Sequence, residues 1–100
     1  MGFTFYRICL KHSDRFCNGK RKPKFSTQTS KVWLTLSKLI KFLSQFVHHY
    51  KYIGSEYTQG YWNEIPENWE VVIYSDKGIQ RMTALNYFEY YRNRDNGRNN

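Results

Sequence analysis

Residues 29–52 read TSKVWLTLSKLIKFLSQFVHHYKY, and the reading of this stretch decides the fold. Val32, Trp33, Leu36, Leu39, Ile40, Leu43, Phe46, Val47 and Tyr50 recur at the three- and four-residue spacing of one helical face. Lys31, Lys38, Lys41, Gln45 and His48 mostly fall away from that face. Thr29 or Ser30 has the side chain needed to cap a first turn, and Gly54 is a stop signal. The spacing predicts a helix from that cap to about Tyr52, on the order of 35 Å long at the usual rise per residue. A helix with so broad an apolar stripe needs a sheet or a partner against which to bury it.

Working outward from this spine, residues 11–30 are polar and hold Gly19 and Pro23, the mark of a loop. Its length is unusual for a structureless connection, so either it binds something or a short strand near residues 25–27 interrupts it. Residues 3–10, FTFYRICL, are β-branched and aromatic and read as a first strand. Past the helix, residues 53–68 read as loop around Gly54, Gly60 and Pro66. WEVVIY, residues 69–74, is the strongest strand signal, followed by the turn SDKG and a return arm over residues 79–82. Thr83 can cap a second helix from Ala84 to about Arg92, with Leu85, Phe88 and Tyr91 or Arg92 sharing a side. Residues 93–100 carry no apolar side chain and are predicted to fray. The expected architecture is a single α+β domain over residues 1–92, followed by a polar tail. In it a small antiparallel sheet is packed by one long amphipathic helix and a shorter C-terminal helix.

A chain of 100 residues suits one domain. Nine Tyr, seven Phe and three Trp supply enough apolar area to argue against a fully disordered chain. The formal charge of +8 is lopsided: residues 1–51 net +10, with Asp14 as their one acid, and residues 52–100 net −2. A basic front half steers toward a polyanion: DNA, RNA, an anionic membrane face or an acidic protein. Cys9 and Cys17 make no disulfide framework. The N-terminus lacks the pattern of a secretion signal, and Tyr6 stands where a myristoylation signal wants Ser or Thr. With no apolar run long enough to span a bilayer, a cytoplasmic setting is the expectation.

The candidate nucleic-acid-binding set is Arg15, Lys20, Arg21, Lys22, Lys24, Lys31, Lys38 and Lys41. Loop cations joined to a helical row can follow a phosphate backbone, and Lys31 is expected beside exposed N–H groups at the helix start. The solvated face of an amphipathic helix accounts for the same lysines. Tyr57, Tyr61 and Trp62 form a second candidate surface. They are interleaved with Glu56, Glu64, Glu67 and Glu70, which suits a protein partner better than a phosphate-tracking groove.

Cys9, His12 and Cys17 have the spacing C-x2-H-x4-C, and His48 or His49 would have to supply a fourth ligand for zinc. This spacing is loose and its fourth ligand distant, and a buried Cys9, an inert Cys17 and surface histidines account for it without a metal. His12 beside Cys9 or Cys17 is the one short-range nucleophile–base pairing, with Asp14 to orient it. No carboxylate cluster, Gly-rich phosphate loop or nucleophile elbow is present to build an enzyme or hold a cofactor. The sequence therefore points to a non-enzymatic nucleic-acid-binding module, acting on nucleic acid or a nucleoprotein complex. The alternative is a small interaction or inhibitor protein that blocks a partner through its aromatic and acidic C-terminal half. An unpaired hairpin edge leaves a homodimer open.

Overall fold

The computed structural model describes residues 2–48 and 66–98. Five strands form one antiparallel sheet: β1 (Thr4–Leu10), β2 (Phe16–Cys17), β3 (Phe25–Ser26), β4 (Trp69–Ser75) and β5 (Gly78–Thr83), in the spatial order β3-β2-β1-β4-β5. Helix α1 (Leu36–His48) follows β3, and helix α2 (Ala84–Arg98) follows β5. A 3-10 turn, Pro66–Asn68, leads into β4. The fold is α+β, an antiparallel sheet with two helices, as the element order implied.

β1 and β4 form the centre, paired along their full length from Thr4↔Ser75 to Leu10↔Trp69. Side chains alternate across this ladder. Tyr6, Ile8 and Leu10 share one face with Trp69, Val71 and Ile73, while Phe5, Arg7 and Cys9 share the other with Glu70, Val72 and Tyr74. Both helices cover the first face. Leu39, Leu43, Phe46 and Val47 of α1 and Ala84, Tyr87 and Phe88 of α2 pack into a single core with Ile8, Leu10, Trp69 and Val71. Trp69 is fully buried between Phe25 and Phe46, with ring centroids 5.3 and 5.6 Å away.

Helix α1 starts later than its apolar spacing predicted. Thr35 caps it, accepting from the Lys38 N–H at 3.4 Å, so Thr29 and Ser30 are not caps. Val32 and Trp33 lie outside the helix. Trp33 pairs antiparallel with Tyr6, each N–H donating to the other's carbonyl at 2.8 Å. The cause is the shortness of β2. It covers only the Cys9 end of β1, leaving the Tyr6 N–H and C=O without a neighbouring strand, and buried backbone groups must be paired. The thirteen described residues of α1 span about 20 Å, and the expected end near Tyr52 lies outside the described residues. Phe42, left out of the predicted stripe, is buried between Trp33 and Phe46.

The hairpin between β4 and β5 is tighter than expected: Ser75 pairs with Gly78, leaving Asp76 and Lys77 as a two-residue turn. Gly78 holds φ at 117°, which a glycine adopts without steric penalty. The backbone of α2 runs helical to Arg98, through residues 93–98 that composition assigned to a frayed tail. Extending a helix already formed costs far less than nucleating one. Among the described residues no helix is long and apolar enough to cross a membrane.

Candidate nucleic-acid interface

The loop between β2 and β3 is a built structure. The Asn18 side-chain oxygen accepts from the Lys20 N–H at 3.1 Å and the Lys24 N–H at 3.3 Å, and the Asn18 N–H donates to the Lys24 carbonyl at 3.0 Å. One amide thus closes the loop across residues 18–24. Gly19 sits at φ 73°, in the left-handed region, and Pro23 is fully buried and anchors the loop to the body. Lys20, Arg21, Lys22 and Lys24 are all exposed around this frame.

Lys31 belongs to the loop and not to the helix. Its N–H donates to the Cys17 carbonyl at 2.9 Å. Its side chain lies directly over Gly19, so close that a Cβ added there would stand 2.5 Å from Lys31 Cγ. The expected place for Lys31 at the helix N-terminus is therefore corrected, and with it the helical row of Lys31, Lys38 and Lys41. Lys38 and Lys41 remain exposed on α1, in the helical layer, whereas the loop and Lys31 stand at the β2–β3 edge of the sheet. Among the described residues no carboxylate pairs with Lys20, Arg21, Lys24, Lys31, Lys38 or Lys41. Arg81 and Glu70 form an ion pair at 3.4 Å.

Arg15 is turned onto the protein itself. Its Nε and Nη2 donate to the Phe25 carbonyl at 3.2 and 2.7 Å, clasping β3 to the start of β2. That is a structural use that the charge pattern did not suggest. Conversely, Arg7 was absent from the sequence-derived set, yet it lies on the sheet face away from the helices. Asn18 and Gly19 were also missed. An Asn-Gly pair is a turn signal, and it was the one clue available.

The cysteine–histidine set does not converge. Cys9 pairs with Phe16 and so shares its face, which sends the neighbouring Cys17 to the opposite, core face. Exposed His12 sits in the turn between β1 and β2 at φ 57°. It borders an open cleft of about 290 Å³ with Leu10, Lys11, Ser13 and Asn68. Among the described residues no three His, Cys, Asp or Glu side chains gather as a metal-ligand set. Burial raises the Cys17 thiol from its ordinary 9.0 to about 11. Burial also raises Cys9, against the opposing pull of Arg81, whose Nη1 lies 3.5 Å from the sulfur. Both thiols stay protonated, and a protonated thiol is a poor nucleophile. Tyr57, Tyr61 and Trp62, the candidate protein-binding rings, lie outside the described residues. So does His49. Trp69 is core.

No family model, curated protein or solved structure matches this chain. Its functional reading is carried by its own residues.

Proposed function

We propose that the protein is a non-enzymatic nucleic-acid-binding module that holds the phosphate backbone with the β2–β3 loop. The observation that carries this reading is the joining of Lys31 to the loop cations. Its bond to the Cys17 carbonyl and its packing on Gly19 join Lys31 to the loop that carries Lys20, Arg21, Lys22 and Lys24. The loop that presents them is braced by Asn18, so little order is lost when a phosphate chain arrives. Cations on an exposed, pre-shaped loop contact phosphates without reading bases, which makes the binding general and not sequence-selective. Lys38 and Lys41, on another layer, serve as long-range steering charge. Arg15 braces the loop and does not contact the ligand.

The test replaces Lys20, Arg21, Lys22 and Lys24 together with Gln. These side chains are exposed, so thermal unfolding is expected to keep its midpoint. Binding to mixed-sequence nucleic acid at low salt is expected to fall at least about tenfold. Unchanged binding, or a single tight protein partner that survives the four substitutions, overturns the proposal.

A further inference from the structure

The sheet face turned away from both helices carries a row of planar groups. Phe3 stacks on Phe5 with centroids 5.9 Å apart and planes 21° from parallel. Phe5 stacks on Tyr74, its partner across β1 and β4, at 4.8 Å and 8°. Arg7 continues the row, its guanidinium carbon 5.3 Å from the centre of the Tyr74 ring and 5.6 Å from that of Phe16. At the outer end Phe3 is 53% exposed, and Ile79 on the same face of β5 is 64% exposed. Exposed rings in near-parallel stacks offer the next planar group a ready face.

We infer that this face is a stacking platform for the unpaired bases of a single-stranded nucleic acid. The inference rests on the phosphate-binding reading proposed above and narrows it to single strands. Three observations favour this occupant. Along the strands described, the face carries two guanidinium groups, Arg7 and Arg81, and the carboxylate Glu70, which pairs with Arg81, while Asp76 stands in the turn beside Gly2 at the outer end. Arg7 is left with rings for neighbours. Its Nε is buried without an acceptor, and among the described residues no carboxylate pairs with it. An apolar protein surface laid here would dehydrate Arg7 and supply no anion, whereas a nucleotide brings both a planar ring and a phosphate. Finally, the platform borders the loop. Phe16, against which Arg7 rests, lies on β2, and the loop begins at Asn18, two residues further along the chain. A backbone held by the loop therefore has the ring row beside it. A duplex keeps its bases stacked within itself and gains only the loop contacts, while a single strand gains both.

The test is fluorescence anisotropy at one fixed low salt, with labelled oligo(dT), oligo(U) and an intramolecular duplex. Phe3 precedes β1 and is more than half exposed, so its substitution leaves the core untouched. Phe3→Leu keeps an apolar side chain but removes the ring. It is expected to weaken single-strand binding about tenfold and leave duplex binding unchanged. Phe3→Trp is expected to keep or strengthen single-strand binding. Preference for either sugar supports the platform equally and identifies the source of the strand. Undiminished single-strand binding by Phe3→Leu, or equal weakening on strand and duplex, overturns the platform and leaves the loop reading standing. A dimer of the unmodified protein that Phe3→Leu dissociates overturns it too, by giving the face to a second copy. Absence of all binding by the unmodified protein overturns both readings.

Discussion

Cys17 shows how much a single side chain reports on this fold. It sits in a two-residue strand, fully buried in the core, and burial lifts its thiol from 9.0 to about 11. The unfolded chain loses this proton near pH 9, while the folded one holds it until about pH 11. The stability that the buried thiol contributes is thus complete below pH 9 and is lost as the pH climbs toward 11. Denaturant unfolding across that range is expected to show the native protein losing on the order of 2 kcal/mol more than Cys17→Ala. Equal losses would mean that the thiol is wetted. Trp33 and Arg15 make a related point at the same scale. A tryptophan at helical spacing became a strand partner, and a cation in a basic run became a backbone clamp, because in each case an unpaired backbone group of a neighbour stood within reach.

At the scale of elements, the β2–β3 loop is held in shape by few contacts, and Gly19 is the most exacting of them. An alanine there must adopt φ 73° and also push Lys31 away, since its Cβ would meet Lys31 Cβ at 2.6 Å. Gly19→Ala is expected to lower stability by about 1–2 kcal/mol and to weaken nucleic-acid binding as well. Gly78→Ala is the control. It suffers the same kind of backbone strain at φ 117° with open space around it, so it is expected to lower stability and leave binding alone. Denaturant midpoints with parallel binding titrations check both.

The elements differ in how plainly the sequence announces them. β4 and β5 are legible because they are long, rich in β-branched residues and joined by a recognisable turn. β2 is two residues long, too short for any alternation to show. The start of α1 is obscured because Val32, Trp33 and Leu36 satisfy a helical period, while the hydrogen bonds that pull Trp33 into the sheet come from Tyr6, far away in sequence. Of the candidate interface, the loop cations were legible as a charge run. Lys31's place among them was not, since it depends on the Cys17 carbonyl and on the absence of a Cβ at Gly19. Arg7 was invisible for a similar reason: its neighbours Tyr74 and Phe16 meet it only once the sheet is assembled.

For the molecule as a whole, the two-layer build divides the work. Helices and core occupy one face of the sheet, the ring row with Arg7 occupies the other, and the basic loop stands at the β2–β3 edge. Lys20, Arg21, Lys22, Lys24 and Lys31 stand at that edge, with Lys38 and Lys41 on the helical layer, and in the proposed function they supply the field that draws a polyanion. The central claim is that five cations, Lys20, Arg21, Lys22, Lys24 and Lys31, neutralise phosphates together. Counterion release ties that number to a measurable slope. The most direct measurement is affinity for a mixed-sequence duplex as a function of salt. With five phosphates neutralised, affinity is expected to fall roughly 500-fold between about 50 mM and about 200 mM salt. The four-Gln loop variant is expected to flatten the slope by between about 3 and 4. A salt-independent affinity, or a variant whose slope matches that of the native protein, would contradict the account.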